Sequence, residues 1–361
     1  MKYWKVFKNR FPPHIGGVGV HIHTLSKELI KNGHEVYVIT YPHNDIKDID
    51  GIHVIPTRGI NILGLRGLLF KKNAKKALED LLKKEDIDII HGHYLFPAGA
   101  AAVDVGKKRG IKTYVTAHGS DMFEMYKKQP FMKSTIKNVL KNADVVLAVS
   151  NALKHKIIAT GVNGISNKTR LSWNSVDINK FLDKKDYSFK NVNNIKKPIV
   201  LFLGNLIKRK NVESLIEAKK IANSDYCLVI VGDGPLFNDL NKKVKEENIN
   251  DVLFTGARED VENIIPSCDV LVLPSFSESF GLVLIEALAC GKAVIGSDVG
   301  GISEIITDDV GLLVNPNKVS SIAQAIDEVI NNSELREIFA LNARNRALDF
   351  SKVDIPYDEV K

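Results

Sequence analysis

Short, continuously apolar runs recur along the chain and alternate with longer segments in which apolar residues repeat with helical spacing. The runs 36–39, 145–149 and 270–273 are unbroken by charged residues, as strands buried on both faces of a parallel sheet should be. The segment 22–30 instead places its apolar residues on one helical face. This alternation predicts an α/β fold whose strands are parallel and covered by helices.

The same rhythm restarts in the second half of the chain. Its predicted strands cover 198–204, 226–231, 252–254, 270–273 and 293–296. A chain of 361 residues exceeds one typical domain, so two domains are expected. The Lys- and Asn-rich segment 183–197 is predicted to link them, which gives domains 1–185 and 186–340, with the tail 341–361 packing back onto the first.

The amino terminus fits this scheme less well. Lys2, Lys5 and Lys8 interrupt the apolar residues of the segment that should form the opening strand, so a poor buried strand is expected. A Pro-Gly loop follows and leads into the first helix. Gly16 and Gly17 would let the backbone approach a ligand closely at a helix start that favours anions.

Charge is distributed unevenly along the chain. Residues 1–185 carry a net charge of +15 and the remainder −8, which together give the formal +7. The basic clusters are 71–76, 107–109 and 127–141. They could attract nucleic acid, an anionic membrane surface or an anionic acceptor, or they could be solvated surface. Nucleic acid is disfavoured because stacking aromatic residues do not interleave with the basic clusters.

Cysteine usage and hydropathy bear on location. Cys227, Cys268 and Cys290 are widely spaced, sit in apolar surroundings and form no Cys-x-x-Cys pattern, so buried free thiols are expected. No apolar run approaches the roughly 20 residues of a membrane span, and the amino terminus lacks the apolar segment of a signal peptide. A cytoplasmic protein is predicted, with peripheral contact at the inner face of the membrane as an open alternative.

Candidate metal ligands are weak. His91, His93 and His118 follow predicted strands, but neither an acidic ligand nor close helical spacing supports a metal site. The pair Asp86 and Asp88 precedes its strand, whereas a ligand pair should follow one. No metal and no cofactor is expected.

The most informative block is 274–304. Glu278 follows the apolar strand 270–273, and Glu286 lies eight residues later in an apolar helix that stops at Gly291. A carboxylate in such surroundings is costly unless a partner satisfies it, and a hydroxyl-rich ligand would satisfy both. The carboxyl edge of an open α/β sheet is also where ligands bind.

This block resembles the Glu-x7-Glu signature of the GT4 family of retaining glycosyltransferases, with its flanking Phe-Gly, Glu-Ala and Ala-Cys-Gly. The resemblance extends over residues 11–345 and includes the Gly-Gly-x-Gly loop. It implies the GT-B fold: two doubly wound, Rossmann-like domains facing across a cleft. It also implies that Glu278 faces the hydroxyls of the donor sugar and Glu286 the ribose of the nucleotide.

Further positions follow from the resemblance. His118, after the strand-like segment 114–117, matches a histidine that contacts the donor sugar, and Lys210 matches the lysine that pairs with the donor diphosphate. Three departures stand out: Asn205 replaces an arginine, Asn211 a glycine and Lys292 a proline. The family's second cation would then come from Lys208 or Arg209.

The candidate site residues form two sets. The catalytic set is His118, Glu278 and Lys210, and the donor-binding set is Gly16, Gly17, Asn205, Arg209, Arg258, Phe280, Gly281, Leu282 and Glu286. Arg258 is a candidate for stacking on the base. The amides of Phe280, Gly281 and Leu282 begin a helix and suit an anion.

The predicted activity is transfer of a sugar from a nucleoside diphosphate sugar (UDP-, GDP- or ADP-linked) to a hydroxyl of a carbohydrate or lipid-linked acceptor, with retained anomeric configuration. The closest motifs belong to enzymes that build surface polysaccharides. Two alternatives remain open. Asn205 and the short tail favour a catalytically weak binding homologue, and a GT-B nucleotide-sugar epimerase would share the architecture.

Overall fold

A computed structural model describes most of the chain. The described residues are 1–7, 11, 17–41, 48–57, 65–127, 130–174, 176–182, 184, 186, 188–352 and 355–357. Lys8 and Gly16 lie outside the described residues, so the expectations for them are not addressed by the structure.

The chain divides into two compact units. The first contains residues 1–175 and, from the tail, the described residues 355–357; the second contains 176–352. The division falls ten residues before the predicted boundary at 185. The predicted linker instead belongs to the second unit, where Phe181 and Phe189 are buried. Only the end of the predicted 341–361 tail joins the first unit, because the helix that precedes it packs within the second.

The first unit is a seven-stranded, fully parallel sheet with helices. Its strand order is β3-β2-β1-β4-β5-β6-β7. The elements in chain order are β1 Lys2–Phe7, α1 Gly17–Lys31, β2 Glu35–Thr40, β3 His53–Pro56, α2 Arg66–Leu81, β4 Ile89–His93, α3 Ala100–Arg109, β5 Lys112–Ala117, α4 Pro130–Asn142, β6 Val145–Ala148, α5 Asn151–Ile158, α6 Ile165–Lys168 and β7 Thr169–Leu171. A π-helical segment, Asp121–Tyr126, precedes α4.

The second unit is a six-stranded parallel sheet in the order β10-β9-β8-β11-β12-β13. Its elements are α7 Ser188–Val192, β8 Ile199–Leu203, α8 Val212–Ile221, β9 Cys227–Val231, α9 Phe237–Glu246, β10 Val252–Gly256, α10 Val261–Ile264, β11 Val270–Leu273, α11 Leu282–Ala289, β12 Ala293–Ser297, α12 Ile302–Ile305, β13 Gly311–Val314, α13 Val319–Asn331 and α14 Ser333–Leu348. No helix in the described part of the chain is long and apolar enough to cross a membrane.

The opening strand β1 is buried, contrary to the expectation of a poor strand. It pairs with β2 and β4 in the middle of the first sheet. Lys2 stands at its partly exposed start, where its ammonium group binds Glu85 at 2.6 Å and Glu35 at 3.4 Å. Lys5 is fully buried beside His91, its register partner on β4.

Alternation along β1 decides which face Lys5 occupies. Tyr3 belongs to the core on the α1 face of the sheet, and Trp4 belongs to the core on the α2 and α3 face. Since successive side chains of a strand point to opposite faces, Lys5 shares the α1 face with Tyr3.

Each sheet has one point at which the strand order reverses. In the first unit the two directions diverge between β1 and β4, and in the second between β8 and β11. Ligands of doubly wound sheets bind beyond the carboxyl ends of the strands at such a point. The loops after β8 and β11, and the ends of β1 and β4, are therefore the places to look for functional side chains.

Candidate active site

Glu278 is fixed by the loop between β11 and α11. The strand is fully buried and ends at Leu273, since the next residue, Pro274, cannot donate to a ladder. Gly281 then turns the chain with a φ of 109°, a conformation that favours glycine, and α11 begins at the next residue. The Glu278 side chain is left nearly buried, with a relative exposure of 9%.

The loop after β8 delivers two cations to this carboxylate. Lys208–Lys210 form a single 3₁₀ turn before α8. Lys210 Nζ donates to Glu278 Oε2 at 2.5 Å, and Arg209 Nη1 lies 3.5 Å from the same oxygen. Arg209 Nη1 also donates to the Ser277 carbonyl at 2.9 Å. The structure therefore brings together Lys210, Arg209 and Glu278.

Asn211 holds the two loops in this arrangement. It adopts the left-handed conformation with a φ of 57° at the start of α8, where the resembling family has glycine. Asparagine tolerates this conformation better than most residues. Its Nδ2 donates to the carbonyls of Pro274 at 3.0 Å and Pro316 at 2.9 Å. The replacement keeps the turn and adds two bonds that glycine could not make.

A third loop, after β12, presses against the backbone of Glu278. A Cβ on Gly300 would lie 1.9 Å from the Glu278 carbonyl oxygen, and one on Gly301 would lie 2.3 Å from the Ser279 oxygen. The Gly301 N–H donates to the Glu278 carbonyl at 3.2 Å. Any side chain at these two positions would push Glu278 out of place.

Opposing effects set the charge state of Glu278. Burial raises the pKa of its carboxyl, but attraction by Lys210 and Arg209, together with hydrogen bonds from Lys210 and the Ser279 N–H, outweighs burial and lowers the pKa below its usual value. Glu278 is therefore an anion held between two cations, and the cluster keeps one net positive charge.

Glu286 has the opposite electrostatics. It lies in the second turn of α11 and is partly exposed. Desolvation, reinforced by the nearby Glu262 carboxylate, raises the pKa of Glu286 to about 7. Among the described residues, no cation offsets these two effects on the pKa of Glu286. A carboxyl that titrates near neutrality is poised to change its charge when a ligand donates hydrogen bonds to it.

The remaining predicted donor residues of this unit are spread along the same edge. Asn205 is exposed just after β8, and Phe280 is buried against Phe350 at a ring distance of 5.6 Å. Leu282 is the first residue of α11. Arg258, after the edge strand β10, donates two hydrogen bonds to Asp260, at 2.8 and 2.6 Å. Arg258 thus lies two strands away from the Lys210 cluster.

In the first unit, His118 belongs to a buried cluster of imidazoles. It follows β5, and its Nε2 shares a hydrogen bond of 3.2 Å with His93 Nδ1 on β4. Asp121 fixes the loop by accepting from the Gly119 and Leu95 N–H groups, both at 2.9 Å. Gly17, the predicted anion-binding glycine, is the exposed first residue of α1.

Two members of this cluster, His21 and Lys5, are not among the site residues predicted from the sequence. The His21 ring on α1 lies 5.9 Å from that of His118 and 6.0 Å from that of His93. Desolvation, with a smaller contribution from Lys5, lowers the pKa of His21 to about 3. Burial likewise lowers the pKa of Lys5 well below its ordinary value. A lysine in the middle of a buried strand is unusual, so the sequence contained a signal for Lys5. From the sequence alone, that signal predicted a poor strand and not a buried polar cluster.

His91 connects this cluster to the carboxyl-terminal tail. Its Nδ1 shares a hydrogen bond with the Tyr357 hydroxyl and its Nε2 with Thr116 Oγ1, both at 2.7 Å. Burial lowers the pKa values of both His91 and His93 well below normal, so the imidazoles are neutral at pH 7. Neutral rings can both donate to and accept from a hydroxyl.

The same cluster was the candidate for a metal site. Within the described residues, no group of three or more His, Cys, Asp or Glu side chains is arranged to hold a metal ion. Desolvation accounts for the lowered pKa values of the imidazoles. The expectation that the reaction needs no metal stays a prediction.

Comparison with protein families gives two matches that together span most of the chain. Residues 15–180 match "Glycosyltransferase Family 4" and residues 183–346 match "Glycosyl transferases group 1". Among individual relatives, a glycosyltransferase of Methanocaldococcus jannaschii is 31% identical over 94% of this chain and 92% of its own length. The N-acetyl-alpha-D-glucosaminyl L-malate synthase of Bacillus anthracis is 29% identical over 92% of this chain and 89% of its own.

The fold is shared with solved structures. Anabaena HepE, solved in complex with UDP and glucose, matches with a TM-score of 0.82 over 98% of this chain and 96% of its own, at 19% identity. Likeness at this level of identity concerns the fold alone. The predicted GT-B class, with two doubly wound parallel sheets, is confirmed.

Proposed function

Because this chain belongs to the glycosyl transferases group 1 family, we propose that it transfers a sugar from a nucleoside diphosphate sugar to a hydroxyl acceptor with retained configuration. The acceptor is a carbohydrate or a lipid-linked molecule in the synthesis of a surface polysaccharide, glycolipid or glycoconjugate. HepE, a fold relative, was solved with UDP and glucose, which supports a nucleotide-sugar donor.

The observation that carries this proposal is the cluster of Lys210, Arg209 and Glu278 at the reversal point of the second sheet. Two cations against one carboxylate leave a net positive charge, which a diphosphate would neutralise. The amino-terminal end of α11 lies in the same loop and adds the positive end of a helix dipole. Such a site stabilises the charge that develops on a departing diphosphate.

The replacement of the family's arginine by Asn205 argues less strongly against glycosyl transfer than the sequence alone suggests. The family's arginine at this position supplies a second cation to the diphosphate. Here Arg209 reaches the Glu278 carboxylate together with Lys210, so a second cation is present four residues later. This arrangement favours an active transferase over a binding homologue.

The proposed chemistry needs no enzymic nucleophile. The bond from the anomeric carbon to the diphosphate oxygen breaks while the acceptor oxygen bonds to that carbon on the same face. The acceptor proton passes to the departing diphosphate. Lys210 and Arg209 stabilise the leaving group, and Glu278 orients the sugar hydroxyls. We assign His118 to a sugar hydroxyl and Glu286 to the ribose.

We further propose how the protein stands toward cofactors, other partners and the membrane. No cofactor and no metal is required, and nucleic acid is not a partner. The protein works in the cytoplasm, and the basic first unit allows peripheral contact with an anionic membrane surface.

The first experiment is a thermal-shift panel of UDP, GDP and ADP with their sugars, followed by nucleoside diphosphate release with the best donor. We expect one nucleotide series to stabilise the protein and its sugar to be turned over slowly, with the product anomer identified by NMR. Lys210→Met should lose the shift, whereas Lys242→Gln, an exposed lysine on α9, should keep it. Absence of any shift in the wild-type protein would favour the alternative of a binding homologue with another ligand.

A further inference from the structure

A second basic site lies in the first unit, and none of the site residues assigned above is among its lining residues. It is a cavity of about 510 Å³, a volume within the range of small-molecule sites. It lies between the π-helical segment Asp121–Tyr126 and helices α4 and α5. The residues that line it are Met122, Tyr126, Lys127, Lys133, Lys156, Ala159 and Thr160. We call it the lysine pocket.

The charged residues that line the lysine pocket are all positive. Among its described lining residues there are three lysines and no carboxylate. Two of the ammonium groups are positioned by aromatic rings: Lys156 Nζ lies 3.9 Å from the centroid of Phe123, and Lys133 Nζ lies 5.5 Å from that of Tyr126. Desolvation, and then repulsion by Lys127, lowers the pKa of Lys156. An anion would relieve this repulsion.

The other basic clusters of the first unit behave differently. Lys71 and Lys75 share the Asp104 carboxylate, at 2.9 and 3.0 Å. Lys108 and Arg109 both pair with Glu79. In the described part of the chain, Lys127, Lys133 and Lys156 make no comparable ion pair, so their charge is available to a ligand.

The lysine pocket is built on the segment that also fixes the candidate histidine. Asp121 anchors the loop that carries His118, and Met122, the next residue, donates its N–H to the Gly119 carbonyl at 2.9 Å and lines the pocket. A molecule held in the pocket would therefore be placed by the same segment that positions His118.

We propose that the lysine pocket binds a phosphate or diphosphate group of the acceptor. Three ammonium donors around one cavity match the charge and the several oxygens of such a group. This inference rests on the proposed transfer reaction and narrows its acceptor to an anionic, phosphate-bearing molecule. The phosphate could belong to a soluble sugar phosphate or to a lipid headgroup, and both present the same chemistry to the lysines.

The test compares two double variants of the full chain. Lys133→Gln/Lys156→Gln removes two charges from the pocket, and the matched control Lys137→Gln/Lys141→Gln removes two from α4 outside its lining. Both are made in a Lys210→Met background, so that the donor site does not bind the probe. Inorganic pyrophosphate is titrated by calorimetry, and each variant is also sedimented with phosphatidic acid vesicles and with neutral phosphatidylcholine vesicles.

We expect the pocket variant to weaken pyrophosphate binding at least tenfold and the control less than twofold. Parallel loss of binding to phosphatidic acid vesicles would identify a lipid-borne phosphate, and loss for pyrophosphate alone would identify a soluble one. Equal losses in pocket and control variants, or no pyrophosphate binding at all, would overturn the proposal. If pyrophosphate binds as expected but the wild-type protein turns over no nucleotide sugar, the anion site is supported and the proposed transfer reaction is contradicted.

Discussion

Each sheet has a lysine near the point where its strand order reverses, and the two lysines have opposite electrostatic surroundings. Lys5 on β1 is fully buried among neutral imidazoles, and its side-chain nitrogen has no hydrogen-bond partner in the described structure. Lys210, after β8, lies 2.5 Å from a buried carboxylate and has Arg209 as a second cation nearby. One site is polar without charge, and the other is charged and compensated.

This difference separates two kinds of recognition. Neutral imidazoles suit hydroxyl groups, which need a donor and an acceptor but no charge. A cluster with net positive charge suits a diphosphate. The same topological position therefore suits hydroxyl groups in one unit and a diphosphate in the other. The difference arises because, among the described residues, a neighbouring loop places a carboxylate beside Lys210 but none beside Lys5.

The largest expected effect comes from Glu278→Gln. The amide keeps the shape but loses the charge between Lys210 and Arg209, so transfer should fall on the order of 100- to 1,000-fold. Nucleotide affinity should change less than threefold, because Glu278 is assigned to the sugar. Steady-state kinetics and nucleotide titration measure the two quantities, with Glu328→Gln on α13 as an exposed control. Equal losses of turnover and nucleotide affinity would contradict this division of roles.

Lys210→Met should destabilise the second unit. It leaves the Glu278 carboxylate with the more distant Arg209 and the Ser279 N–H, and removing one partner of a buried ion pair costs about 3 kcal/mol. The double variant Lys210→Met/Glu278→Gln should recover part of this loss, because neither charge then remains. Urea unfolding of the two single variants and the double variant gives the coupling; additive losses would show that the pair does not interact.

Lys5→Met should do the reverse and stabilise the first unit, by about 1 to 3 kcal/mol, since it removes a buried polar group without a partner. Because burial lowers the pKa of folded Lys5, the unfolded chain binds a proton that the folded chain does not. Wild-type stability should therefore fall as the pH drops below about 10. The difference in unfolding free energy between Lys5→Met and the wild-type protein should therefore be larger at pH 7 than at pH 10. Urea unfolding at both pH values measures this difference. A constant difference would show that folded Lys5 is charged.

The smallest expected effect is a pH dependence of donor affinity. With its pKa near 7, Glu286 is mostly neutral at pH 6 and ionised at pH 8. An ionised carboxylate accepts stronger hydrogen bonds from ribose hydroxyls, so nucleotide affinity should rise severalfold across this interval. Glu286→Gln should flatten the profile. Glu262→Gln should move its midpoint to lower pH by removing the neighbouring charge; an unchanged midpoint would exclude Glu286 as the titrating group.

Much of the second unit could be predicted from its sequence. The predicted strand 270–273 coincides with β11, and 293–296 differs from β12 by one residue. Buried parallel strands are apolar on both faces, so their limits are visible as the limits of apolar runs. Glu278 could be placed after a strand for the same reason.

The first unit was harder to predict because its β1 strand breaks this rule. The sheet tolerates Lys5 because a lysine whose pKa is strongly lowered is buried without charge. A hydropathy scale treats every lysine as charged and so cannot predict this. The domain boundary lies ten residues before the predicted position at 185. Phe181, which precedes the predicted linker 183–197, is buried in the second unit, and burial of this kind depends on packing that local composition does not show.

The sequence by itself determined the periodicity of strands and helices and, through its motifs, the family and the loops that carry chemistry. These features depend on local order along the chain. Only the tertiary structure decided which loops meet: Lys210 reaches Glu278 across 68 positions of sequence, and Tyr357 reaches His91 across 266. Charge state and burial follow from such meetings, because a carboxylate or an ammonium group takes its pKa from neighbours that sequence order does not reveal.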